Sequence, residues 1–238
     1  MKIFLVAPLV VNDDPTEVVN GNPTETTYQW AENLDRRLAG RGIECVRLMK
    51  EGCLRKKLEV ALKKDMGSPG ILVYLDHGCC CTLFGSDDKP IIDLKNIQLL
   101  KNKFVFALAC DSANFLGKIG VAEYGVKGYL GFRDEVIIPK KIPGLEEYIK
   151  DYERCLLSGL MAMLVKKVNS KQCKATIVKR ISEKILEYDK RLFEKLAKKT
   201  ATIDDWNMTP QLITWLGHNR NCITLIGAQD WKYQRNGW

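Results

Sequence analysis

Long apolar runs alternate with short amphipathic stretches over the first 138 residues. KIFLVAPLV (residues 2–10) carries no polar side chain after its opening lysine, the pattern of a strand buried on both faces of a parallel sheet. A polar loop, VNDDPTEVVNGNPTE, follows. From Thr26 to Gly40, residues Tyr28, Trp30, Leu34 and Leu38 recur near helical spacing, and Gly40 and Gly42 end the pattern. IECVRLM predicts a second strand. In LRKKLEVALKKDM, Leu54, Leu58, Ala61 and Leu62 share one helix face with lysines opposite, and GSPG breaks the helix. ILVYLDHG is a third buried strand that delivers Asp76, His77 and Gly78 to its end. After the loop CCCTLFGSDDKP, IIDLKNIQLLKNK predicts a crossover helix, and FVFALAC a fourth strand that stops at Cys110. NFLGKIGVAEYG reads as a helix and VKGYLGFRDEV as a fifth strand ending in Arg133, Asp134 and Glu135.

Repeated βα units of this kind build an open, mainly parallel sheet with helices on both faces. The expected fold is therefore an α/β three-layer sandwich with about six strands. From Pro139 the pattern changes, with helices expected around 144–168 and 174–197, a loop through TATIDDWNMTPQ, and a last strand in NCITLIGAQD. No Gly/Ser-rich linker, low-complexity tract or internal repeat interrupts the chain. Residues 1–238 are thus read as one domain, a βα core over 1–138 followed by a helical segment and the last strand over 139–238.

Charge sharpens this division. Residues 140–199 hold 16 Lys and Arg against 8 Asp and Glu, which accounts for the whole net charge of +8. Such a segment can face an acidic regulatory protein partner or simply solvent. Without aromatic interleaving or a glycine-rich phosphate loop, nucleic acid is disfavoured. No uncharged apolar run approaches the ~20 residues of a membrane span, so no membrane partner is expected. The N-terminal residues lack the small-residue cleavage pattern of a secretory signal, and the nine scattered cysteines are read as free thiols of a cytoplasmic protein. The triplet Cys79, Cys80, Cys81 is not expected to bind metal, because successive side chains of an extended chain point to opposite sides. Neither a metal nor another cofactor is implied.

In an open α/β sheet, ligands sit at the carboxyl ends of the strands. Asp13 and Asp14 follow the first strand, Asp76 and His77 end the third, and Cys110 to Ser112 follow the fourth. His77 and Cys110 are 33 residues apart, about one crossover, so they emerge on strands about 4.8 Å apart if those strands are neighbours. A thiol needs a nearby base or a helix N-terminus to become a nucleophile near neutral pH, and both are expected at Cys110. The Gly78 and Cys110 N–H groups are candidates for an oxyanion hole, with Gly78 allowing a peptide carbonyl to come close. His218, in TWLGHNRNC, is read as a structural residue in a polar turn.

This layout resembles the caspase-like cysteine peptidases, the group of caspases, metacaspases, gingipains, clostripain, separase and the bacterial CHAT domains. In that group one buried strand ends in His-Gly, here ILVYLDHG, and the next in a short Cys motif, here FALACDSA. Ala-Cys-acid-Ser is most similar to CHAT domains, GSPGILVYLDHG is similar to the strand before the metacaspase His, and LIGAQD resembles a late CHAT strand. The resemblance implies a cysteine endopeptidase with His77 as general base, Cys110 as nucleophile and Gly78 as an oxyanion contributor. Asp76 and Ala113 depart from the pattern, standing where many members have Gly; Asp76 is read as a strand-end cap rather than an orienter of His77.

In the group, loops after the first, fourth and fifth strands form the pocket for the residue before the scissile bond. Here those loops offer Asp13, Asp14, Asp134 and Glu135, which implies a protein or peptide substrate with Lys or Arg at that position and makes Lys140 and Lys141 candidate self-cleavage sites. The alternative is a catalytically silent caspase-like module that binds a protein partner through its basic helices. A flavodoxin-like module is disfavoured by the missing phosphate loop.

Overall fold

The computed structural model describes residues 1–9, 23–139 and 146–234. The chain is α/β, with one six-stranded, mostly parallel sheet, a small antiparallel sheet and seven α-helices among the described residues. In chain order come β1 (Lys2–Ala7), α1 (Pro23–Ala39), β2 (Cys45–Met49), α2 (Arg55–Lys63) and β3 (Gly70–Leu75), then the short β4 (Gly78–Cys79), β5 (Thr82–Phe84) and β6 (Pro90–Ile92). β7 (Lys103–Leu108), α3 (Leu116–Glu123) and β8 (Gly128–Phe132) follow. The chain then continues through α4 (Glu146–Leu156), α5 (Ser158–Lys166), α6 (Ser170–Ala197), α7 (Ile203–Cys222) and β9 (Ile223–Gly227).

The large sheet runs β2-β1-β3-β7-β8-β9. Every pairing is parallel except that of β9 with β8. The four inner strands, β1, β3, β7 and β8, are buried on both faces, as their apolar runs require, while the edge strands β2 and β9 are only partly covered. Ile3, Leu5, Ile71, Val73, Phe104 and Phe106 pack with Trp30 and Leu34 of α1 and with α4 to α7 through Tyr152, Leu160, Ile177 and Leu216. The alternate residues Phe4, Val6, Leu72, Tyr74, Val105 and Ala107 pack with Leu58 and Leu62 of α2 and Leu116 of α3. Each such large side chain contributes about 1.5–3 kcal/mol by leaving water.

Three expectations need correction. IIDLKNIQLLKNK is not a crossover helix: its start is β6, paired with β5, and only Ile97–Leu100 turns, as a short 3-10 helix. Ile91, Ile92, Ile97, Leu99 and Leu100 are all buried, so the segment is apolar on too many sides for an amphipathic helix. The stretch TATIDDWNMTPQ is not a loop but the start of the 20-residue helix α7. Thr202 caps it, accepting from the Asp205 N–H while Asp205 returns to the Thr202 N–H, the reciprocal box that starts a helix. Pro210, which reads as a breaker, is tolerated inside it. Finally, 144–168 is two helices separated at Leu157, and α6 begins at Ser170 behind an Asn169/Gln172 capping box.

The central pair of strands is pinned at its start. Lys103, the first residue of β7, is fully buried. Its ammonium donates to the Asp65 carboxylate at 3.0 Å, the Asp65 carbonyl at 2.9 Å and the Ser68 carbonyl at 3.0 Å, all in the turn just before β3. Three acceptors satisfy its three protons. The register from Gly70↔Lys103 to Leu75↔Leu108 follows from that anchor. Removing one partner of a buried ion pair costs about 3–5 kcal/mol, so Asp65→Ala is expected to lose that much stability in urea unfolding followed by circular dichroism.

Candidate active site

Because Leu75 faces Leu108 in the parallel ladder and the Asp76 N–H still donates to the Leu108 carbonyl at 3.2 Å, the register carries on past the strand ends. Two residues further along each chain lie His77 and Cys110. Side chains alternate along a strand, and Leu75 and Leu108 both belong to the cluster packed on α1 and α4 to α7. His77 and Cys110 therefore continue on that side. Both line a cleft of about 260 Å³, closed by Thr27 of α1, Asp76 and the stretch Glu135–Ile138.

Cys110 is half-buried, and its sulfur accepts from the Val136 N–H at 3.3 Å. Among the described residues no hydrogen bond joins it to the His77 ring. Burial pushes the thiol above its ordinary value; the Val136 N–H opposes this, and the charges of Glu135 and Asp111 add to it. The His77 ring is exposed, yet desolvation by the protein beneath it lowers its proton affinity, with Asp88 pulling the other way. The resting pair is consequently a neutral thiol beside a neutral imidazole.

The expected helix N-terminus does not lie on Cys110. A tight turn intervenes, and α3 starts only at Leu116, whose N–H donates to the Cys80 carbonyl at 2.7 Å. Asp111 adopts a left-handed φ of 53°, which Asp tolerates better than most residues. The Asn114 amide holds this turn, bonding the Asp111 carboxylate and donating to the Arg133 carbonyl at 2.7 Å. The Ser112 hydroxyl donates to the Ala109 carbonyl at 3.0 Å.

Gly78 has a packing reason to be glycine. A Cβ there would stand 2.9 Å from the Ala109 Cβ and 3.1 Å from the Thr82 carbonyl oxygen, so the space expected to admit a substrate carbonyl is filled by the protein itself. The fully buried Tyr74 sets the loop above it. Its hydroxyl lies 2.6 Å from the His77 carbonyl and 2.7 Å from the Phe84 carbonyl, and accepts from the Phe84 N–H at 3.1 Å. Burial raises the Tyr74 phenol well above its ordinary value, so the proton it shares between the two carbonyls stays in place.

Asp76 is buried, and burial pushes its carboxyl from 3.8 up to about 8; the His77 N–H and Thr27 draw it down in part while Asp88 pushes further up. Its contacts are those of a strand-end cap. Of the acidic residues expected near a substrate side chain, Glu135 lines the cleft. Asp134 is exposed, and its carboxylate accepts from the Glu135 N–H at 2.9 Å. Asp13 and Asp14, like Lys140 and Lys141, lie outside the described residues. The three thiols of Cys79, Cys80 and Cys81 do not diverge as expected. The turn between β4 and β5 gathers them within 4.8 Å of one another.

The cleft wall made by Glu135–Ile138 is held by α7, a helix missing from the sequence reading. Fully buried Asn219 accepts from the Ile137 N–H at 2.9 Å and donates to the Ile137 carbonyl at 2.6 Å. His218 lies on the same helix, not in a polar turn, and its Nε2 meets the Glu135 carbonyl at 2.9 Å. The basic helices carry many local ion pairs, among them Lys179–Glu183, Lys190–Glu194 and Arg191–Glu187. No described helix is long and apolar enough to cross a membrane.

No family model matches the chain, and no curated protein matches it. Among solved structures, the crystal structure of protein GSU0716 from Geobacter sulfurreducens is similar to it at 15% identity and a TM-score of 0.40, covering 76% of this chain and 89% of that one.

Two measurements check this geometry. Asn219→Ala strands both polar groups of Ile137 and is expected to cost about 1–3 kcal/mol, with faster amide exchange at Ile137. Asp76 gives a pH test. Below pH 3.8 folded and unfolded chains both hold its proton; between there and about 8 only the folded chain does, so this group makes stability fall as pH rises. Asp76→Asn is therefore expected to melt higher than the parent at pH 8 and alongside it near pH 4.

Proposed function

We propose that the protein is a caspase-like cysteine endopeptidase, with the sheet and its flanking helices as a three-layer sandwich and His77 and Cys110 as a dyad. One observation carries this reading: His77 and Cys110 follow the partnered residues Leu75 and Leu108 at the ends of adjacent parallel strands and line one cleft. The family resemblance of ILVYLDHG and FALACDSA agrees with it.

In the proposed reaction, the Cys110 sulfur attacks the peptide carbonyl carbon as His77 takes the thiol proton. Collapse of the tetrahedral adduct breaks the C–N bond, and His77 returns that proton to the departing amine. Water, with His77 as base, then hydrolyses the thioester and regenerates the thiol. A neutral imidazole suits the first step. The N–H of Cys110 is assigned to the developing oxyanion; Gly78, whose open face is filled by Ala109 and Thr82, is not carried into the reaction. The Val136 N–H, bonded to the sulfur at rest, is released as the sulfur forms its bond to carbon. Glu135 beside the apolar Val136 and Ile138 suits the stem and charged head of Lys or Arg.

A raised thiol value makes simple alkylation a poor probe, since the thiolate is the reacting species. A peptidyl ketone reagent that fills the cleft is the better test. Reagents ending in Lys or Arg are expected to label Cys110 and no other thiol, Cys110→Ala to abolish labelling, and His77→Ala to slow it about 100-fold or more. Faster labelling by acidic or aliphatic reagents would remove the basic preference alone. No labelling of Cys110 in folded protein by any reagent would leave the silent interaction module as the reading.

A further inference from the structure

The turn between β4 and β5 gathers a group of thiols that the proposed reaction does not use. Cys79 ends β4 and is paired with Thr82 of β5, so Cys80 and Cys81 are the two residues of a tight hairpin turn. The turn is held from outside as well, because the Cys80 carbonyl accepts from the Leu116 N–H at the start of α3 at 2.7 Å. All three sulfurs lie within 4.8 Å of one another, and those of Cys79 and Cys81 are 3.9 Å apart. The three residues are half-buried, which leaves an entry path from solvent.

We infer that Cys79, Cys80 and Cys81 form a binding site for a soft, thiol-seeking metal ion, Cu(I) by its ligand set. Metal–sulfur bonds of about 2.3 Å, at angles between tetrahedral and trigonal, set sulfurs about 3.8–4.0 Å apart. The Cys79–Cys81 separation meets that edge. Cys80, whose side chain stands on the turn itself, closes the remaining distances by rotation about its own bonds. In an extended chain three successive thiols could not meet; the reversal of the chain at Cys80–Cys81 removes that obstacle.

The donor set selects the metal. Thiolates favour Cu(I) and Zn2+ over harder ions, and among the described residues no imidazole or carboxylate joins the group. Three sulfurs complete a trigonal Cu(I) centre, whereas Zn2+ would have to draw a fourth ligand from solvent. Thr82 prepares the site: its hydroxyl donates to the Cys81 sulfur at 3.7 Å. That bond, helped by Cys79, holds the Cys81 thiol below its ordinary value, while the hydrogen bond with Cys81 pushes Cys80 up. A thiolate therefore forms first at Cys81, and a bound cation offsets the repulsion that keeps Cys80 protonated. On binding, S–H bonds are exchanged for S–Cu bonds and the protons go to solvent. Copper stays Cu(I) throughout, so no oxidant or reductant is consumed. The site stands whether or not the Cys110/His77 pair is catalytic.

Anaerobic titration of the reduced, full-length protein with Cu(I), against a chromophoric Cu(I) chelator, tests it. The expected result is one Cu(I) per chain withdrawn from the chelator, with three sulfur neighbours and no nitrogen by X-ray absorption. Cys79→Ser, Cys80→Ser and Cys81→Ser are each expected to weaken binding at least about 10-fold, the least that loss of even an outer partner costs. Replacing all three is expected to abolish it, with the circular dichroism spectrum of the parent retained, and Cys110→Ser to leave it unchanged. No Cu(I) withdrawn by the parent protein, binding that survives the triple replacement, a shell of two sulfurs, or Zn2+ retained at these thiols against equimolar Cu(I) would overturn the assignment.

Discussion

The buried Lys103 ammonium fixes the relation between β3 and β7, and the cleft depends on that relation. An unpaired ammonium in a protein interior is severely unfavourable, so Lys103 must meet the acceptors of Asp65 and Ser68. Only one register permits this. A slip by one residue would turn every side chain of β7 to the other face, moving Cys110 away from the His77 side and stranding the charge together. Hydrophobic burial holds the two strands in the same sheet, since both faces are apolar along their length, but it discriminates poorly between registers. The polar anchor at one end sets the alignment of the reactive groups at the other, seven residues along each chain from the Gly70↔Lys103 pair.

At that far end, desolvation dominates the electrostatics. It keeps Cys110 and Asp76 protonated and favours a neutral His77, so no formal charge is stored on these three groups at rest. Under the proposed peptidase reading this means that the thiolate is made during the reaction rather than held in waiting. The Val136 hydrogen bond is the one stabilising contact that the sulfur has from the cleft wall. The reactivity of Cys110 therefore depends on where the Glu135–Ile138 stretch lies.

Much of the sheet was legible because its strands are continuous apolar runs bounded by Gly, Pro and acidic residues, a signal that survives without tertiary information. His77 and Cys110 were legible for the same reason, as polar residues at the abrupt ends of such runs. What the pattern could not convey was context. IIDLKNIQLL buries Ile91, Ile92, Ile97, Leu99 and Leu100 against α2, α3 and the sheet, at positions set by those neighbours rather than by one helix face. TATIDDWNMTPQ is a polar stretch with Pro210 and little apolar periodicity, and its helical signal lies in the Thr202/Asp205 capping pair. Asn219 and Tyr74 carry no linear signal at all, since their partners are 82 residues away in one case and backbone carbonyls in the other. The Cys79–Cys81 thiols converge because their chain turns between β4 and β5, which a reading as extended chain missed.

Helix α7 ties the two halves of the chain together. Read as a loop and a turn, residues 201–222 would be an appendage to a βα core. Formed as a helix, they bring His218, Asn219 and the Cys222 carbonyl, all in its last turn, to the loop after β8, and each meets a backbone group of that loop. β9 then continues directly from α7 and pairs with β8, so helix and loop are held by the same strand. Any displacement of the α7 terminus moves both the β8 edge and the Glu135–Ile138 wall, and with them the N–H donor to Cys110. The helical half of the chain thus meets the cleft wall through the last turn of α7.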